Sequence, residues 1–319
     1  MPIPPMWGSP LGPSADAMAS AEPDGPQPPR LLIVTVNYNS AEELARCVAS
    51  LDRGSFDRWL VIDNASTADG ETGRLERLAE HGVEVVRLPE NTGFGAGVNA
   101  GVRELAPDAD DLLWILNPDT VAAEGAPDRL ASALAAEPDA ILSPLILHAD
   151  DDREWFGGGH LDARGLRVRH VPATRPSPAH LPFAPGTALA MRGRTWERLG
   201  GFSDELFMYW EDAELCIRAA AAGIPVRVER AAVIRHVEGA SSSGAEGGRS
   251  ELYYYYVNRN RSLVARMHRT TLPVRSRWRY ALVTAGMLST PLRRERVGRL
   301  RKLAAAVRGA VAGWRRPRR

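Results

Sequence analysis

The stretch LLWILNPDTV, residues 112–121, places five large apolar side chains in a row and then stops on Asn117, Pro118 and Asp119. A run that is apolar at every position suits a strand covered on both faces, as in a parallel sheet, rather than one with a wet face. Pro118 has no amide to continue a ladder, so the carboxylate of Asp119 is held at the strand tip. Alone, such an acid is a turn former or half of a site, and the surrounding sequence has to decide between them.

Upstream, LLIVTVNY (31–38), RWLVIDNAS (58–66) and VEVVRLPEN (83–91) repeat the pattern of an apolar run ending on polar residues. Between them, SAEELARCVASL (40–51), behind a Ser cap, and GVNAGVREL (97–105) have helical spacing. Strands alternating with helices predict an α/β fold, with a mostly parallel central sheet and helices on both faces. Ligands of open α/β sheets collect beyond the carboxyl ends of the strands. The residues at those ends are Asn37-Tyr38, Asp63-Asn64, Asn91 with a Gly-rich turn, and Asn117 to Asp119. Each alone also reads as a cap or turn former; four at successive strand ends point to a nucleotide site.

The turn NTGFGAGVNAG (91–101) lets backbone amides approach a phosphate or sugar through Gly93, Gly95 and Gly97, with a helix N-terminus following. Its spacing is not G-x-G-x-x-G and it follows the third strand, which argues against a dinucleotide fingerprint, and no G-K-[ST] is present for a P-loop. A purely structural tight turn is the competing reading. In GFSDELFMYWEDAELCIRAAAAGIPV (201–226), Glu211 and Asp212 open a helix that stops at Gly223. The helix dipole accounts for one acid there, but not for the aromatic entry FMYW, which suits a cleft wall. Further on, AAVIRHVEG (231–239) ends a strand on His236. Most single histidines are structural, yet one at a strand end can join Asp119 on a divalent ion completed by diphosphate oxygens and water.

The chain has 319 residues, 44% hydrophobic and 25% charged, which is ordinary globular material. Cys47 and Cys216 lie far apart and outside any C-x-x-C or Cys/His cluster, which excludes a disulfide framework and a structural zinc site and favours a reducing, cytoplasmic setting. The net charge of +1 conceals a segregation: from Arg259 onward there are 18 Lys and Arg against Glu295 alone. Such a block suits nucleic acid or anionic lipid, with a merely solvated tail as the alternative. Residues 1–29 are rich in Pro, Ala, Ser and Gly and read as a disordered leader rather than a signal peptide. No stretch of 18 apolar residues is present for a membrane span.

The ordered set VTVNYNS, VIDNAS, NTGFGAGVNAG, LNPDT, PGTALAMRGRTWERLGGFSDELFMYWEDAELCIRAAAAGIPV, VIRHVEGAS and YYYVNRN resembles the family-two inverting glycosyltransferases of the GT-A fold. Within that family it is most similar to rhamnosyltransferase-like members of bacterial cell-envelope synthesis, over about residues 31–268. The resemblance implies a GT-A, Rossmann-like domain at 30–268, with a nucleotide-binding half (30–122) and an acceptor and catalytic half (123–268); the charge pattern adds a basic amphipathic helical tail at 269–319. It places Asp119 on the metal, Mg²⁺ or Mn²⁺, with Asn117 replacing the first acid of the family's D-x-D and lying nearer the ribose and sugar. Asp63 would read the nucleobase, and Val36, Asn37 and Tyr38 would enclose the nucleoside. Asn91, Gly93 and Asn99 would serve the nucleotide sugar. Asp212 would be the catalytic base, Glu211 its support, and His236 a second group at metal and diphosphate. Arg259 would stand near the nucleotide diphosphate or the acceptor phosphate.

Inversion is a single displacement, so a carboxylate must take the acceptor proton on the face opposite the leaving nucleotide, and cationic groups must meet the charge developing on the diphosphate. For the acceptor, Trp155 and Phe156 in EWFGGGH (154–160) offer sugar-stacking surfaces, and PFAPGTALAMR (182–192), with Gly186, a turn at the cleft. Both are equally readable as ordinary loops with core aromatics. In VGRLRKLAAAVRGAVAGW (297–314), Val297, Leu300, Ala304, Val307, Val311 and Trp314 recur at helical spacing between Arg301 and Arg308. That pattern fits a basic amphipathic helix on an anionic membrane; no nucleic-acid motif supports the other partner. The expected protein is cytoplasmic, peripheral on the inner face of the membrane and metal-dependent. It would move a sugar, L-rhamnose from dTDP-L-rhamnose first among candidates, from a nucleotide diphospho-sugar to a polyprenyl-diphosphate-linked saccharide. A galactofuranosyl or other hexosyl donor is the alternative within the class, and a non-catalytic nucleotide-sugar-binding scaffold the alternative outside it.

Overall fold

Each of the four apolar runs forms a strand: β1 (Leu31–Asn37), β2 (Arg58–Asp63), β3 (Val83–Arg87) and β4 (Leu112–Leu116). They pair in parallel in the order β3-β2-β1-β4. The computed structural model describes residues 28–171, 174, 177–237, 243–244, 248–272 and 277–315, so most of the expected leader lies outside the described residues. Helices α1 (Ala41–Ala49), α2 (Glu71–Arg77) and α3 (Phe94–Leu105) make the crossovers. Leu32, Ile33, Trp59, Leu60, Leu113 and Trp114 are wholly buried in β1, β2 and β4, each such side chain contributing about 1.5–3 kcal/mol of apolar burial. β3 is the edge strand, with Val85 and Val86 exposed.

Ser40 stands at the N-cap of α1 as the sequence suggests, but its hydroxyl donates to the Tyr38 carbonyl instead of capping. The buried carboxylate of Glu71 meets the Ala41 amide in its place, at 2.9 Å.

The second half extends the same sheet. After β5 (Thr120–Ala122) and α4 (Ala126–Ala136) come β6 (Ile141–His148), β7 (Glu154–Phe156), β8 (Gly159–Asp162), β9 (Arg167–Arg169), β10 (His180–Phe183) and β11 (Ala188–Arg192). Helices α5 (Gly193–Leu199) and α6 (Glu211–Ala221) and the long β12 (Val226–His236) follow. The sheet continues from β4 through β11, β6 and β12 to β5, with β7 alongside β6, while β8, β9 and β10 form a small separate sheet.

β11 runs antiparallel to β4, with Ala188 opposite Leu116. Its entry segment therefore lies at the rim where β4 ends, and the Asn117 amide donates to the Thr187 carbonyl at 2.9 Å.

The basic tail folds back on the domain. Helices α7 (Glu251–Met267), α8 (Arg277–Leu288), α9 (Thr290–Arg294) and α10 (Arg299–Trp314) close the chain. α10 lays Ala305, Ala306, Gly309 and Gly313 against α7, so closely that a Cβ at Gly309 or Gly313 would run into the carbonyl oxygens of Tyr255 and Arg259. Glu295 locks this contact: its carboxylate accepts from Tyr254 Oη (2.8 Å), Lys302 Nζ (2.6 Å) and the Arg249 amide (3.2 Å). The stripe of Leu300, Ala304, Val307, Val311 and Trp314 is left exposed.

Candidate active site

The strand ends meet as the topology requires. At the end of β1, Asn37 is fully buried and its Nδ2 donates to Glu71 Oε1 (2.9 Å), Ser66 Oγ (3.1 Å) and Asp63 Oδ1 (3.3 Å). Tyr38, next along, is exposed at the rim. At the end of β2, Asp63 Oδ2 lies 3.5 Å from Arg87 Nε. Neighbouring Asn64 ties down the Gly-rich turn, through Asn91 Oδ1 (3.0 Å), the Gly93 carbonyl (3.1 Å) and the Thr92 amide (2.9 Å).

At the end of β4, Asp119 is buried beside His236, whose Nε2 lies 3.2 Å from its Oδ2. The Trp155 ring packs edge-on against the same imidazole, 4.9 Å between centroids.

The acidic pair is presented by an unusual backbone. Tyr209 and Trp210, immediately before α6, have φ of +69° and +75°, left-handed values that cost non-glycine residues about 1–3 kcal/mol each. The surrounding contacts hold them there. Asn260 Nδ2 on α7 donates to the Met208 (2.8 Å) and Tyr209 (3.0 Å) carbonyls, and the Phe207 carbonyl accepts the Phe94 amide at 2.9 Å. Asp212 is then fixed by two amides, Gly186 to Oδ2 (3.1 Å) and Ala213 to Oδ1 (2.7 Å). Glu211 is buried beside it.

Burial pushes the Glu211 carboxyl up to about 8, and the Asp212 charge adds to the rise. Burial raises Asp212 as well, but the Gly186 and Ala213 amides pull it back. Two neighbouring carboxyls in one dry site share a charge unequally. The two amides favour the charge on Asp212, and the drier setting of Glu211 favours the proton there.

Six predicted residues carry buried side-chain atoms that have no hydrogen-bond partner among the described residues: Asn37 Oδ1, Asp63 Oδ2, Asn117 Oδ1, Asp119 Oδ1, His236 Nδ1 and Glu211 Oε2. Unmet buried polar atoms are rare in folded chains and call for a ligand, ion or water. The Asp119–His236 pair, joined through Oδ2 and Nε2, keeps one carboxylate oxygen and one imidazole nitrogen unmet. That donor set fits a divalent ion whose other positions belong to substrate oxygens and water; no cluster of three His, Cys, Asp or Glu capable of holding a metal occurs among the described residues.

Several sequence assignments are redirected. Phe156 is wholly buried, in edge contact with His170 and Phe183, so it belongs to the core rather than to an acceptor surface. Asn99 is consumed within the protein: its Nδ2 donates to the Phe202 carbonyl and Asp204 Oδ1, both at 2.8 Å, and its Oδ1 accepts the Phe202 amide at 2.9 Å. It therefore secures the 202–204 segment and is not available to a sugar. The Gly93 amide goes to Asn91 Oδ1 (3.0 Å), and a Cβ there would strike the Phe207 carbonyl oxygen, so this glycine serves the chain's own close approach. Val36 is buried against Gly97 on α3. Gly186 stands at Asp212, and Arg259 Nη1 donates to the Glu205 carbonyl at 2.8 Å on the far side of the loop.

Sequence reasoning missed Glu71 and Arg87, which secure Asn37 and Asp63. Glu71 follows a Gly at a helix start and looks like an ordinary dipole acid; only its burial reveals the role.

A GT-A glycosyltransferase is the class that this sheet, with its strand-end acids and its helix-borne acidic pair, defines. Residues 32–199 match glycosyl transferase family 2, and the chain belongs to that family. It is 30% identical to the N-acetylglucosaminyl-diphospho-decaprenol L-rhamnosyltransferase of Mycobacterium tuberculosis over 236 residues, covering 65% of this chain and 76% of that protein. The fold is similar to that of GalNAc-T7 solved with UDP, GalNAc and Mn²⁺, at TM-score 0.60 and 17% identity, covering 74% of this chain and 48% of that one. It is also similar to the mannosyltransferase PcManGT of Pyrobaculum calidifontis with GDP-Man and Mn²⁺, at TM-score 0.52 and 18% identity, covering 91% and 77%.

Proposed function

We propose that the chain is an inverting, metal-assisted transferase that moves a sugar, L-rhamnose from dTDP-L-rhamnose first among candidates, to a polyprenyl-diphosphate-linked saccharide. The observation that carries this reading is the set of unmet buried polar atoms lying on both the strand ends and the acidic pair. The strand-end atoms suit a nucleotide diphospho-sugar, and the single unmet atom on the acidic pair, Glu211 Oε2, lies beside the Asp212 that would meet the acceptor hydroxyl. The name of the mycobacterial relative supports both the rhamnosyl donor and the lipid-diphosphate acceptor.

In this reading Asp63 and Asn37 face the nucleoside, and Asn117 the ribose and sugar. Asp119 and His236 would hold Mg²⁺ or Mn²⁺, which when bound offsets the charge of the leaving diphosphate; Mn²⁺ in the two structural neighbours supports this choice. Asp212, oriented by two backbone amides, takes the acceptor proton as its oxygen attacks the anomeric carbon. Glu211, neutral beside it, keeps the negative charge on Asp212 alone. Trp155, next to His236, offers an apolar face to a sugar ring.

The exposed stripe of α10 and the arginines around it would rest on an anionic membrane, the inner cytoplasmic face, where a lipid-linked acceptor is presented. No helix among the described residues is long and apolar enough to cross a membrane. The deciding experiment is a transfer and donor-hydrolysis assay over a panel of nucleotide sugars, beside Asp212→Asn. Turnover of dTDP-L-rhamnose above its rivals, lost in the variant, is expected. Donor binding without turnover under any acceptor would leave a nucleotide-sugar-binding protein instead.

A further inference from the structure

The loop that leads into the catalytic acids has two sides. One side meets α3, through the Phe94 amide on the Phe207 carbonyl and through Asn99. The other meets α7, and there an open concavity of about 260 Å³ lies between α7 and the C-terminal end of α10. Arg259, Arg266 and Arg315 line it together with Glu205, Leu263, Ala312 and Gly313, three cationic residues against one acid.

The arginines are only partly used. Arg259 Nη1 donates to the Glu205 carbonyl (2.8 Å) and to Asn260 Oδ1 (2.6 Å). Arg266 Nη1 donates to the Arg315 carbonyl (2.6 Å), and its Nη2 lies 3.7 Å from Glu205 Oε2. The Arg315 guanidinium makes no hydrogen bond or ion pair among the described residues. Each guanidinium has five donors in a rigid fork that matches phosphate oxygens. Three such residues around one concavity, with a single acid to balance them, leave a net positive lining beyond the Arg266–Glu205 ion pair.

We propose that this cavity is a second anion site, distinct from the strand-end donor site, that takes a phosphate or diphosphate group. The inference deepens the transferase reading and rests on it for the consequence: Glu205 belongs both to the cavity wall and to the loop that delivers Glu211 and Asp212. A phosphate that engages Arg259 and Arg266 therefore touches the same segment that sets the base. Glu205, 3.7 Å from Arg266 Nη2, offsets part of the repulsion among the three arginines when no anion is bound.

The test is calorimetric titration of the full chain with inorganic pyrophosphate while the donor site is saturated with nucleoside diphosphate, wild type beside the double variant Arg266→Gln/Arg315→Gln. The expected result is one further pyrophosphate per chain. Its affinity should fall at least tenfold in the double variant, while nucleoside diphosphate affinity stays within twofold. Restoring charge in Arg266→Lys/Arg315→Lys should recover part of the loss, and a thermal melt of each variant separates this from misfolding.

Competition then identifies the source. Displacement by a short-chain prenyl diphosphate assigns the site to the acceptor, and displacement only by vesicles of anionic phospholipid assigns it to a headgroup. No pyrophosphate beyond the nucleotide, or equal affinity in wild type and variant, overturns the proposal. Failure of the nucleoside diphosphate itself to bind would instead overturn the transferase reading.

Discussion

His236 Nε2 lies 3.2 Å from Asp119 Oδ2 because β12 runs antiparallel to β5, which sets His236 opposite Thr120 and directs the Val237 amide to the Asp119 carbonyl at 2.9 Å. The pair is built by sheet register, so neither residue can drift from the other without breaking backbone pairing. Asp119→Asn preserves this shape and removes the charge. Nucleotide affinity in Mn²⁺ should drop at least tenfold while affinity without metal is unchanged, and Mn²⁺ electron resonance should show loss of the bound ion. Equal Mn²⁺ binding in the variant would remove Asp119 from the metal.

Glu211 sets a pH dependence whose direction is fixed. Its folded value, raised from 4.5 to about 8, means that the neutral form is the one the fold favours. Its contribution is complete below about pH 4.5 and is lost as pH rises through about 8, by roughly 1.4 kcal/mol per unit at most. Glu211→Gln has nothing to ionise and should hold its stability across that interval, by urea unfolding at pH 5, 7 and 9. The alkaline fall of activity near pH 8 should flatten in the same variant. Asp212→Asn should lose about 10²–10⁴ in rate at every pH.

Gly93 has φ of +89°, and the space its missing Cβ leaves is filled by the Phe207 carbonyl. Gly93→Ala must push that carbonyl away and strain its own backbone, at a cost of about 1–3 kcal/mol. Because Phe207 leads directly into Tyr209, Trp210 and the acidic pair, kcat should fall more than the stability loss explains. A melt and a steady-state assay on one preparation check this; a fall in melting temperature with unchanged kcat would show that the turn does not position the acids.

The sheet was legible because a strand buried on both faces writes itself as an unbroken apolar run, and because its polar end falls where the chain turns. LLWILNPD and LLIVTVN are both of this kind. The acidic pair was legible for a different reason, the aromatic entry that a helix dipole does not demand. Phe156 and Asn99 could not be placed, since an aromatic beside a Gly turn and an Asn inside a helix look alike whether they face a cleft or a core. Glu71 and Arg87 were invisible, because their partners lie at distant strand ends and arise only from β1, β2 and β3 standing side by side. The tail is half legible: the apolar spacing at Leu300, Val307 and Val311 marks a helix, and those side chains are exposed, but the Ala and Gly face that docks α10 on α7 has too little side chain to register as a pattern.

Arg261 is almost wholly hidden and has no acid among its hydrogen-bond partners. Its guanidinium donates to the carbonyls of Leu166 (2.9 Å) and Gly165 (2.5 Å) and to Thr284 Oγ1 (2.7 Å), and lies 4.2 Å from the centre of the Tyr280 ring. α8 buries no residue fully, so this side chain joins Tyr280 and Leu288 in attaching it to the rest of the chain. Arg261→Met leaves two buried carbonyls unmet, at about 1–3 kcal/mol each. Amide exchange in 277–288 should accelerate before any change in the central sheet; uniform acceleration throughout would mean that the arginine stabilises the whole domain instead.

The C-terminal helices present a surface with two properties that reinforce each other. Trp278, Leu282, Leu300 and Trp314 are each at least half exposed, and Arg277, Arg293, Arg294, Arg296, Arg299, Arg301 and Arg308 stand on or between the same helices. Basic residues near an anionic leaflet contribute about 1 kcal/mol each and are screened by salt, whereas inserted Leu and Trp side chains contribute about 1.5–3 kcal/mol and are not. Sedimentation with phosphatidylglycerol vesicles should therefore show two components. Raising the salt should weaken binding without abolishing it, and Leu300→Glu/Trp314→Glu should weaken it at least tenfold and leave the remainder fully salt-sensitive. Neither residue touches the strand ends or the acidic pair, so hydrolysis of free donor should be unchanged in the double variant. Binding to neutral and anionic vesicles alike would show that charge has no part in the attachment, and no binding to either would leave the stripe for a protein partner.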